Sequence, residues 1–176
     1  MRTHLLTTTS AVALLAATSA YAQNATWTGN GAPVTNEWTQ ANNWTPPSVP
    51  SGTATFTNNR APTSVTISIP LNLNTILFTA GAPAYSFTSG RTINLFGAGI
   101  VNNSAFAPSF TNNEFFVFNS GTAGNAVITN NFVVNFLGTS SAGSAVIINN
   151  DLVSFVGTST AAGVKGLHRT AGYHHD

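Results

Sequence analysis

The second half of the chain repeats itself about every 19 residues, a period typical of proteins built from stacked coils. Thr122-Ala123-Gly124-Asn125-Ala126-Val127-Ile128-Thr129-Asn130-Asn131 returns as Ser141-Ala142-Gly143-Ser144-Ala145-Val146-Ile147-Ile148-Asn149-Asn150, and Gly138-Thr139-Ser140 returns as Gly157-Thr158-Ser159. One short apolar run and one small-residue corner per unit is the signature of a solenoid. Such a unit cannot bury its apolar side alone and must stack on its neighbours.

Two columns of different chemistry run through the repeat. Asn112-Asn113, Asn130-Asn131 and Asn149-Asn150 each lie one repeat length apart, and Phe118, Phe136 and Phe155 keep the same spacings. In parallel coils each member stands about 4.8 Å above the last. At that distance side-chain amides can bond along a ladder and rings can stack. An antiparallel sandwich also gives short strands at regular intervals, but it has no reason to return the same residue at one coil length. Upstream, Val65-Thr66-Ile67-Ser68-Ile69 alternates with period two until Pro70, as a half-buried strand does. Thr75–Phe78, Tyr85–Phe87, Thr92–Phe96, Ile100–Asn103 and Phe115–Phe118 are further strand candidates, separated by Gly and Pro turns. No window carries a helical period beyond the first residues. The expected fold is all-β, a parallel β-helix.

The N-terminus has the parts of an export signal. Arg2 and His4 are a short positive region, Ala11–Ala17 an apolar core, and Ala20-Tyr21-Ala22 a small-residue cleavage site before Gln23. The apolar run is shorter than the roughly 20 residues a spanning helix needs, and no later stretch reaches that length. The expected organisation is a signal peptide over 1–22, an N-terminal cap with the first strands over 23–56, coils of about 19 residues over 57–160, and an irregular or truncated tail over 161–176. All three tryptophans, Trp27, Trp38 and Trp44, fall in the cap segment among Pro and Gly turns. A solenoid end exposes an apolar cross-section and free strand edges, which large rings can cover. The same three rings are the candidate ligand-binding residues, as a platform on which sugars stack.

Several of these stretches resemble the passenger region of bacterial type V autotransporters, the outer-membrane β-barrel protein family. They are the opening Trp27-Thr28-Gly29 with Trp38 and Asn42-Asn43-Trp44, the segment Phe96–Ser104, and the coils from Ser120 to about Gly157. The resemblance implies a right-handed parallel β-helix exported by a Gram-negative bacterium. The helix would be displayed at the outer membrane, or released from it, by a C-terminal barrel. It implies a structural or adhesin-like role, with a glycan or protein of the host or cell surface as partner. A barrel would need a few hundred further residues of alternating strands, and Val164–Arg169 fits neither barrel nor repeat. The open lower edge of the last coil is then a site for self-association.

Charge narrows the functional classes. Hydrophobic residues make up 43% of the 176 and charged residues 5%, well under the roughly 25% of ordinary domains. From Gln23 on, Arg60, Arg91, Lys165 and Arg169 balance Glu37, Glu114, Asp151 and Asp176. No basic patch exists to neutralise phosphates, so nucleic acid is not an expected partner. Cysteine is absent, so stability must come from a continuous core. An enzyme is not expected. Glu114 and Asp151 each follow an Asn pair, two coils apart, roughly 9.6 Å on the spacing of stacked strands and within reach of an inverting glycosidase pair. Phe132 occupies the same position between them, and corners favour such residues for their turns. No histidine lies between His4 and His168. His168, His174, His175 and Asp176 carry metal-ligating chemistry without a framework to support it, so no metal or cofactor is expected.

Overall fold

A computed structural model describes residues 22–31, 35–58, 62–161, 163–169 and 173–175. The expected signal peptide, 1–22, lies outside the described residues except for Ala22. The rest is a parallel β-solenoid of about five turns.

Each coil contributes a strand to each of two sheets. The nine-stranded sheet holds β1 (Ala25–Trp27), β2 (Trp44–Thr45), β3 (Thr53–Phe56), β5 (Leu71–Phe78), β7 (Ile93–Asn102), β9 (Phe115–Phe118), β11 (Val133–Phe136), β13 (Leu152–Phe155) and β15 (Tyr173–His175). The six-stranded sheet holds β4 (Ser64–Ile67), β6 (Ser86–Ser89), β8 (Ser109–Asn112), β10 (Val127–Asn130), β12 (Val146–Asn149) and β14 (Lys165–Arg169). Every pairing is parallel except β1 with β2. Alternation within the strands explains the layers: Val65, Ile67, Phe87, Phe110, Ile128 and Ile147 point into one core, while their neighbours face out.

The coil is not of one length. Asn72 and Asn94, in register on early coils, are 22 residues apart, whereas Asn112 and Asn130 are 18 apart and Asn130 and Asn149 are 19 apart. The uniform repeat expected over 57–160 therefore holds only for the later turns. The extra residues sit at one place. β5 and β7 run on past the first arm of the sheet: Leu71–Leu73 pairs with Ile93–Leu95, then after a register shift Thr75–Phe78 pairs with Gly99–Asn102. In later coils this second arm shrinks to single bridging residues, Thr122, Ser141 and Thr160, in register with Gly99. The path from Gly99 to Ser109 is twice as long in sequence as the matching path from Thr122 to Val127.

The core narrows to match. The wide coils are filled by Trp27, Trp38, Trp44, Phe56, Phe78, Tyr85 and Phe87, the narrow corner by Ala123, Ala126, Ala142 and Ala145, all buried. Phe118, Phe136 and Phe155 stack at 4.8 Å with interplanar angles of 11° and 7°. Burial of each such ring removes apolar area worth about 1.5–3 kcal/mol.

Two local expectations change. Gly97-Ala98-Gly99, where a turn separates two strand candidates in the sequence, lies inside β7. A Cβ on Gly99 would stand 2.2 Å from the Thr122 carbonyl oxygen, so glycine there lets two backbones touch. The tail over 161–176, expected to be irregular or truncated, carries β14 and β15, which pair parallel with β12 and β13, β14 with a register shift between Val146 and Ile148. Among the described residues β14 and β15 are the end strands of their sheets, and an end strand presents backbone N–H and C=O groups to which a strand can pair.

Candidate functional site

The Trp-rich segment is a plug at the head of the solenoid. Asn43 organises it: its Nδ2 donates to the carbonyls of Thr35 and Glu37 at 2.9 Å each, and its Oδ1 accepts from Gly31 N–H at 2.7 Å. The segment is then pinned to β4, with Trp38 N–H donating to Thr66 O and Thr66 N–H to Asn36 O, both 2.8 Å. Trp27, Trp38 and Trp44 are 0%, 0% and 2% exposed. Their rings meet edge to face, Trp27 with Trp44 at 5.1 Å and Trp38 with Trp44 at 4.8 Å, over Phe56. The structure does bring the three candidate binding residues together. It gives none of them a free face, because the apolar end of the first coil takes all three; a sugar platform at Trp27, Trp38 and Trp44 is thereby corrected to a cap. Trp44 Nε1 donates to Trp38 O at 2.7 Å and Trp27 Nε1 to Pro62 O at 3.1 Å. Below them burial pushes the Tyr85 phenol above its ordinary pKa.

The asparagine pairs form two ladders with opposite polarity. In the buried one Asn112 Nδ2 donates to Asn130 Oδ1 at 2.8 Å, and Asn130 Nδ2 to Asn149 Oδ1 at 2.7 Å. In the exposed one the direction reverses: Asn150 Nδ2 donates to Asn131 Oδ1 at 2.7 Å and Asn131 Nδ2 to Asn113 Oδ1 at 2.8 Å. The inner amides also close the corner between the sheets. Asn130 Nδ2 donates to Phe132 O at 3.1 Å and Leu152 O at 2.9 Å. These buried, bonded amides have no ionisable group to offer as acid or base, and their hydrogen bonds go to the fold.

The acidic corner stays dispersed. Glu114 and Asp151 occupy one column with Phe132 between, each just past an inner Asn. Glu114 Oε2 accepts from Thr92 Oγ1 at 3.4 Å, and Phe132 turns its ring against Phe115 at 5.0 Å. Among the described residues no group of three His, Asp or Glu side chains converges and no cavity opens. His168, His174 and His175 lie on β14 and β15; Asp176 lies outside the described residues.

One set of surface groups escaped the sequence patterns. Ser64, Ser86 and Ser109 stand in one column on the six-stranded sheet, and Thr66, Thr88, Thr111 and Thr129 in another. The signal was present as Ser-x-Thr at 64–66, 86–88 and 109–111. Those triplets recur at the longer step of the early coils, which hides them from a search tuned to the later repeat. Comparison with protein-family models, curated proteins and solved structures finds no match for this chain.

Proposed function

We propose that this chain is an exported structural and interaction protein, a β-helical stalk or adhesin-like passenger segment of the autotransporter type. The observation that supports it most is the stacking itself: coils joined by in-register strands, a phenylalanine column and two asparagine ladders. In such a stack each coil contacts only its neighbours, so length is gained by adding coils and surface is presented along the whole axis. This suits a spacer that holds a partner-binding surface away from a membrane. The proposed partner is a glycan or protein of a cell surface, with no catalytic step, and the proposed location is the outer membrane or medium of a Gram-negative bacterium. Export is the testable core. Expressed with its own N-terminus in such a host, the protein should be recovered beyond the inner membrane with Gln23 as its first residue by mass spectrometry. A protein that retains Met1 and stays in the cytoplasm would overturn the proposal.

A further inference from the structure

We propose that the outward face of the six-stranded sheet is an ice-binding surface, a two-dimensional lattice of hydroxyls that adsorbs to ordered water. The inference does not depend on export or display. Its basis is the register of β4, β6, β8 and β10, which pair without a shift. One column carries Ser64, Ser86 and Ser109 and the other Thr66, Thr88, Thr111 and Thr129. Strand spacing sets the hydroxyls about 4.8 Å apart along the axis, and two residues of rise set the columns about 6.7 Å apart across it. The oxygens on a prism face of hexagonal ice repeat on nearly the same rectangular grid.

Three further observations separate this face from an ordinary polar surface. None of these hydroxyls hydrogen-bonds within the protein among the described residues, so their bonding capacity is turned outward. On the nine-stranded sheet the outward amides do the opposite: Asn94 Nδ2 donates to Asn72 Oδ1 at 3.0 Å. The strands β4, β6, β8, β10 and β12 carry no charge themselves, where an ion would keep its own hydration shell and disorder the layer. Among the described residues Glu37 lies beside them, bridging Thr66 at the upper edge, with its carboxylate held by the Ser68 N–H at 3.3 Å. Finally, the methyl groups of the threonines interrupt the hydroxyls with apolar surface, and Val127, Val146 and Ile148 extend that surface along the same columns. A polysaccharide fits less well, because sugars stack on ring faces and the rings of this sheet, Phe87 and Phe110, are turned inward and buried.

The test uses the full chain in two assays, capture into a slowly growing ice front and inhibition of ice recrystallisation. The wild-type chain should enter the ice and arrest recrystallisation. The double variant T88K/T111K should lose both effects while keeping the wild-type melting temperature and circular dichroism, and N94K, on the other sheet, should keep both effects. If the double variant fails to fold, Thr88→Lys alone, in the middle of the threonine column, should show the same loss. A folded wild-type chain that stays in the liquid, equal loss in N94K, retention of ice capture by folded T88K/T111K, or binding to an insoluble polysaccharide without ice capture would each overturn the proposal.

Discussion

Asn130 and Asn131 are chain neighbours with opposite fates, and their difference measures what the ladder is worth. Asn130 is buried, and its Nδ2 faces three oxygens, those of Asn149, Phe132 and Leu152. Asn130→Asp replaces that donor with an acceptor and should destabilise the fold by about 3 kcal/mol, the upper range for an unsatisfied buried group. Burial and facing carbonyls raise the folded-state pKa of the new carboxyl above the unfolded value near 3.9. The variant therefore approaches wild-type stability below about pH 4 and loses it as pH rises through the folded pKa. Asn131→Asp, on the exposed ladder, should stay within about 0.5 kcal/mol; urea melts at two pH values check both variants. That asparagines would stack was legible from their spacing. That the inner row is Asn was not, since the inward positions around it, Ile128 and Val134, are apolar and nothing local flags a buried amide. The tryptophans invite a second comparison. Trp44 Nε1 has the Trp38 carbonyl as partner, whereas Trp38 Nε1 is buried without one. Trp44→Phe should cost about 1 kcal/mol more than Trp38→Phe, the net value of one hydrogen bond, in thermal or denaturant melts.

The corners decide how strands succeed one another. Gly124 and Gly143 take φ values of 61° and 60°, a region glycine enters freely and other residues do not. Their N–H groups are held by Thr122 Oγ1 and Ser141 Oγ at 2.9 Å each. A Cβ on Gly143 would lie 2.6 Å from Thr122 Oγ1 and 2.7 Å from Gly124 O. Gly143→Ala should therefore destabilise by at least about 1–3 kcal/mol. Gly90 is the control, with open space where a Cβ would stand and no positive φ; Gly90→Ala should be neutral or stabilise by about 0.4–1 kcal/mol through the unfolded chain. Midpoints of urea unfolding for the two variants check the contrast. The repeat made these corner glycines legible. The second arm was legible as the candidates Thr75–Phe78 and Ile100–Asn103, but its continuity with the first arm in β7 was not, because Gly97 and Gly99 look like turn residues until Asn74 and Thr122 of the neighbouring coils come within contact. Close approach of backbones distant in sequence leaves no local signal.

At the scale of the molecule, a column of one residue type at coil spacing was enough to establish parallel stacking, since no other all-β arrangement returns the same side chain every turn. The taper was hidden, because it lies in the difference between the longer early step and the shorter later one, and only the second half repeats cleanly. The candidate site was legible only as residues: the sequence gathered Trp27, Trp38 and Trp44 but could not say whether the rings covered the first coil or faced solvent. Burial against Phe56 decides for the cover. The stacked register itself is open to direct measurement by backbone nuclear Overhauser contacts in a uniformly labelled chain. Strong contacts should link Val65 with Phe87 and Phe87 with Phe110 across the wide coils, then Phe110 with Ile128 and Ile128 with Ile147 across the narrow ones. Contacts confined to antiparallel neighbours about 8–12 residues apart, as in a sandwich, would contradict the solenoid.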